Sequence, residues 1–154
     1  MSKKISKKRI KRIVKAIRLA AAANKLRHSE KLWDGLVDSI GHIIEDELST
    51  DLVAYWGGWV IIPIPNTSSQ LCLLAHGTDC EKIILAVTAD DIFTKAVTKL
   101  KKQFQAAKTT FELINIRYAF IKKHAVTWKS INTDSPQAVE YFLVHLNTVL
   151  NELA

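Results

Sequence analysis

The chain contains no Gly or Pro before Gly35, and this opening stretch repeats its apolar residues at helical spacing. On a wheel of about 100° per residue, Ile10, Ile13, Val14, Ile17, Ala20 and Ala21 fall on one side. Lys8, Lys11, Arg12, Lys15 and Arg18 fall on the other. The pattern dictates a basic amphipathic helix, and Ala20–Ala23 adds intrinsic propensity. Met1–Lys4 is expected to fray.

Residues 1–27 carry 11 of the 22 basic side chains and no acid; the first acid is Glu30. The net charge of +7 therefore divides into +11 on the first 27 residues and −4 on the remaining 127. An asymmetry of this kind points to a polyanionic partner. The predicted organisation is a basic helical arm over residues 1–27 and one domain over residues 28–154.

The hydrophobic fraction of 48% and charged fraction of 24% exclude full-length disorder. Two Cys do not make a disulfide framework. A secretory signal needs an unbroken apolar centre, and Lys15 and Arg18 interrupt Ile13–Ala23. The arm has more Lys than Arg and few Ser, unlike a mitochondrial presequence. No apolar run reaches the roughly 18–20 residues of a membrane span. These features predict a cytoplasmic protein.

A second helix is expected from Ser29, with Trp33, Leu36, Val37, Ile40, Ile44 and Leu48 as its apolar stripe. Gly41 within it marks a close packing contact. Leu52–Trp56 and Trp59–Ile64 read as strands of a hairpin turning at Gly57-Gly58, which pairs Trp56 with Trp59. Alternatively, the preceding helix continues towards Tyr55 and the glycines end it. Pro63 and Pro65 place the end of the second run at an edge or exit.

Gln70–Ala75 and Lys82–Thr88 read as buried strands. Thr88 is positioned to cap a helix whose apolar face is Ile92, Phe93, Ala96, Val97, Leu100 and Phe104. Thr110–Ile121 is ambiguous, and its Ile114, Ile116, Tyr118 and Phe120 favour a strand. Lys122–His124 is then a turn and Ala125–Ile131 a return strand. Ser135 and Pro136 open a last helix carrying Val139, Phe142, Leu143, Leu146, Val149, Leu150 and Leu153.

The predicted fold is α+β: a mainly antiparallel sheet of about five strands with flanking helices, preceded by the long basic helix. The element order is similar to that of dimeric secretion-chaperone and profilin-like folds, an analogy of order alone with no shared residue motif.

No motif names a reaction, and no cofactor is implied. Cys72, His76 and Cys80 have the spacing Cys-x₃-His-x₃-Cys, with Asp79 as a fourth candidate zinc ligand. A second ligand pair is missing, and Cys72, Leu74 and His76 share a strand face, so buried Cys residues are the plainer reading. The same residues could form a nucleophile–base pair only within hydrogen-bond reach. Asp34, Asp38, His42, Glu45 and Asp46 line one helical flank, which reads as a solvated acidic face or as a surface for the basic arm. Tyr55, Trp56, Trp59 and Trp128 are core or cross-strand aromatics unless exposed, where they could stack on bases.

The arm carries the clearest functional signal. Lys7, Lys8, Arg9, Lys11, Arg12, Lys15 and Arg18 would neutralise phosphates of DNA or RNA. The expected function is non-enzymatic nucleic-acid binding, with the body as a platform and a homodimer compatible with it. The alternative is a protein-interaction module (an adaptor, chaperone or immunity-type protein) that binds an acidic or other protein partner. A membrane surface is a third, weaker partner.

Overall fold

A computed structural model of the chain describes residues 5–27, 33, 35–50, 54–56, 59–65, 67–76, 82–88 and 92–153. Ten elements follow in order. They are α1 (Lys7–Arg27), α2 (Leu36–Leu48), β1 (Ala54–Trp56), β2 (Trp59–Pro63), β3 (Gln70–His76), β4 (Lys82–Thr88), α3 (Ile92–Ala106), α4 (Thr110–His124), β5 (Ala125–Asn132) and α5 (Ala138–Leu153). The fold is α+β, as expected.

The strands form an antiparallel meander in the order β1-β2-β3-β4-β5. Four are substantial, and β1 is a three-residue edge. The hairpin reading holds in its register, with Trp56 opposite Trp59. Gly57 and Gly58 lie outside the described residues. The α3–α4 pair is inserted between β4 and β5, which are themselves neighbours.

Side chains alternate across the sheet, so each strand feeds two cores. On one face, Val60, Ile62, Leu71, Leu73, Ile83, Leu85 and Ile131 pack with buried residues of α1, α2 and α5. On the other, Ile61, Cys72, Leu74, Ile84 and Ala86 meet Leu100 of α3 and Phe120 and Ile121 of α4. The result is three layers: helices, sheet, helices. Burial on both faces explains why β3 and β4 read as continuous apolar runs.

The N-terminal helix is part of this architecture. Ile10, Ile13, Ile17 and Ala21 are buried in the same core as α2 and α5. The predicted amphipathic stripe is thus covered by the chain itself, and α1 is not a free arm.

Three expectations need correction. Thr110–Ile121 is helix, not strand, and Lys122–His124 completes that helix instead of forming a turn. Its start is locally encoded. The Thr109 side chain accepts the Glu112 N–H at 3.1 Å, and the Glu112 carboxylate accepts the Lys108 N–H at 2.8 Å. Lys122 and Lys123 in the last turn complement the helix dipole. These terminal interactions, with burial of Ile114, Phe120 and Ile121, outweigh the β-propensity of the segment.

The second helix begins at Leu36, preceded by Gly35 in the left-handed region (φ 75°), so Trp33 sits in the turn before it. Ser29 lies outside the described residues. Thr88 ends β4 opposite Gln70, buried in the sheet, and the residues next to the α3 start lie outside the described set. The close contact at Gly41 is real: a Cβ there would stand 2.6 Å from Val60 Cγ1.

Candidate nucleic-acid interface

The seven basic residues of α1 fall into two groups. Packing of the apolar stripe on α2 and α5 brings the flanking arginines to acids distant in sequence. Arg9 donates to the Glu47 carbonyl oxygen, and Arg12 Nε to the Glu47 carboxylate at 2.7 Å. Arg18 makes a two-pronged pair with Glu140 of α5 at 2.9 and 3.0 Å. This pairing holds the Glu140 carboxyl below its ordinary range and raises the Arg18 guanidinium. Planar guanidinium and carboxylate match in this two-bond geometry.

Lys7, Lys8, Lys11 and Lys15 differ. All four are exposed and make no ion pair among the described residues. Lys8, Lys11 and Lys15 are spaced i, i+3, i+7, one ridge on the side away from the core. Packing on α2 and α5 holds that ridge in place, so its charges are fixed in position relative to the body.

The lysines on the solvated side of α3 belong to a basic excess that continues into α4 and β5. Residues 92–132 contain nine Lys and Arg and a single acid, Glu112. Residues 28–91 hold two basic and eleven acidic residues, and the basic excess lies in α3, α4 and β5. Lys99, Lys101, Lys102, Lys108, Lys122, Lys123 and Lys129 are exposed, with no ion pair among the described residues. Arg117 is half-buried, its guanidinium 5.8 Å from the centre of the Phe104 ring. His124 lies against Phe120, and burial together with Lys123 and Lys99 pushes its imidazole below the ordinary value.

The other candidates resolve as structure. Cys72 is fully buried between the sheet and α3–α4, and burial pushes its thiol up to about 12. A thiol held neutral is a poor nucleophile and metal ligand. His76 is four residues further along β3, roughly 13 Å at strand rise, beyond hydrogen-bond or shared-ligand reach. The His76 side chain and all of Cys80 and Asp79 lie outside the described residues. Among the described residues no three His, Cys, Asp or Glu side chains are grouped for a metal ion.

His42 and Glu45 of the acidic flank pair with each other along α2 at 3.3 Å. Asp34 lies outside the described residues. The arm does meet α2, but at Glu47. Of the aromatics, Trp33 is buried edge-on against Phe142, with ring centres 5.9 Å apart. Trp128 is 39% exposed, and the side chains of Tyr55, Trp56 and Trp59 lie outside the description. The depression between α3 and α4 is lined by Gln103, Ala106, Ala107, Glu112, Asn115 and Ile116. It offers one carboxylate and no converging set of reactive groups.

Comparison with protein-family models, curated proteins and solved structures gives no match to this chain. Among the described residues no helix is long and apolar enough to cross a membrane.

Proposed function

We propose that this chain is a non-enzymatic, cytoplasmic nucleic-acid-binding protein whose α1 helix contacts phosphates through Lys7, Lys8, Lys11 and Lys15. The observation that carries the reading is this ridge of exposed lysines with no acidic partner among the described residues, on a helix anchored by its opposite face. Arg9, Arg12 and Arg18 serve the fold, because their charges are already met by Glu47 and Glu140.

Affinity from phosphate neutralisation falls with salt, by about 0.9 in the log–log slope per contact on duplex DNA. Four contacts predict a contribution of about −3.6. Replacing all four lysines with Gln should remove that contribution, as measured by anisotropy of a labelled duplex between about 50 and 200 mM salt. An unchanged slope and affinity would overturn the reading.

A second reading is a protein-interaction module. Leu19 of α1 and Tyr141 and Val144 of α5 are exposed on helices that pack together, and apolar side chains in water favour a protein partner. A stoichiometric protein that co-purifies with the intact chain, but not with Leu19→Ser/Tyr141→Ser, in nucleic-acid-free preparations, would favour it.

A further inference from the structure

Helix α4 and the edge strand β5 place two exposed aromatics on one strip. Phe111, Asn115, Tyr118 and Lys122 are spaced i, i+4, i+7, i+11 and share one side of α4. The Tyr118 ring meets Trp128 of β5 edge-on, with centres 5.9 Å apart and planes at 76°. That contact fixes which side of α4 faces β5. Phe111 is 64% exposed at one end of the strip, and Trp128 is 39% exposed near the other. Seven residues of helix separate Phe111 from Tyr118, roughly 10 Å along the axis. Lys122 stands one turn beyond Tyr118 on the same side of α4; Lys129, next to Trp128 on the edge strand, has the parity of Ile131 and belongs to the other face of the sheet. The one acid of the segment, Glu112, is engaged at the helix start by the Lys108 N–H.

We infer that this strip binds single-stranded nucleic acid, with bases stacked on Phe111 and Trp128 and phosphate on Lys122. Aromatic faces spaced along a basic surface suit unpaired bases, which present free π-faces, whereas the bases of a duplex are already stacked. A segment with nine basic residues and a single acid matches a polyanion. It does not match a second copy of itself: pairing β5 with β5 would bring Lys129 and its neighbouring lysines onto the same charges, and an edge lysine opposes such pairing. The inference shares its ligand class with the reading above but uses different residues on the opposite side of the sheet.

The test uses the full chain, a labelled 12-nucleotide oligo(dT) and a duplex of the same length. Phe111→Ala and Trp128→Ala should each weaken oligo(dT) binding roughly 5- to 150-fold, with duplex affinity unchanged. Trp128→Phe, which keeps a ring, should restore most of the loss. Lys122→Gln should lower the oligo(dT) salt slope by about 0.7. Phe111 is exposed, so its variant reads binding without a folding defect, and a urea midpoint checks the Trp128 variants. Oligo(dT) binding unaltered by Phe111→Ala and Trp128→Ala overturns the inference. If the four α1 lysine changes alone remove binding of both ligands, this strip is not the site and the α1 reading stands. If oligo(dT) binding persists without those lysines and falls with the aromatics, the strip stands and the α1 reading fails. Binding to anionic vesicles that oligo(dT) does not compete away overturns the inference in favour of a membrane.

Discussion

Gly41→Ala sets two effects of opposite sign against each other. Replacing a helix-interior Gly by Ala stabilises by about 1 kcal/mol. The new Cβ, however, would stand 2.6 Å from Val60 Cγ1 and 3.2 Å from Cγ2. Relaxed carbon contacts are about 3.5–4.0 Å. Val60 is fully buried and β-branched, so its methyls cannot swing aside, and α2 or β2 must shift by about 1 Å. Overpacking of this kind costs about 1–3 kcal/mol. The expected net result is a loss of about 1 kcal/mol, or about 2–4 °C in Tm at this chain length.

Val60→Ala removes both methyls and costs about 2 kcal/mol alone. In that background the clash is gone, and Gly41→Ala should stabilise by about 1 kcal/mol. The change of sign is the diagnostic feature. Urea unfolding of the wild type, two single variants and the double variant, followed by circular dichroism, gives the coupling. If Gly41→Ala stabilises the wild type and the two changes add within about 0.5 kcal/mol, α2 does not lie on β2 as described.

Further outcomes follow from the same packing. Ile17→Ala should destabilise by about 2–5 kcal/mol in urea unfolding, because Ile17 is fully buried; a loss near zero would mean that α1 is not part of the core. His124 is held below 6.5 in the folded state, so the unfolded chain binds the extra proton and this contribution to stability is lost as pH falls below 6.5. His124→Asn should flatten that part of the Tm–pH curve, and an unchanged curve would count against the burial of the ring. Cys72, with its thiol pushed up to about 12, should not react with a thiol reagent at pH 8 in a Cys80→Ser protein until the chain is unfolded.

Legibility in the sequence followed how local each cause was. The α1 stripe, the Trp56–Trp59 register, β3, β4 and β5 were readable because periodicity and turn residues operate over a few positions. Helix α4 was misread because β-propensity was weighed without its opening signal, Thr109-x-x-Glu112, which was present in the sequence. The solvated lysines of α3 were legible from helical spacing, but their continuation into α4 was not, because that segment reads as a strand by propensity.

By itself the sequence determined that the chain opens with a basic amphipathic helix, that the fold is α+β, and that positive charge is concentrated rather than spread. These are properties of neighbouring residues. Only the tertiary structure decided which of those charges remain available. Arg12 and Glu47 are 35 residues apart and Arg18 and Glu140 are 122 apart, and no local pattern links either pair. They meet because burying Ile10, Ile13 and Ile17 against α2 and α5 fixes the rotation of α1 about its axis. The same burial turns Lys8, Lys11 and Lys15 outward. Hydrophobic packing thus divided one run of basic residues into arginines that close the fold and lysines left exposed to solvent.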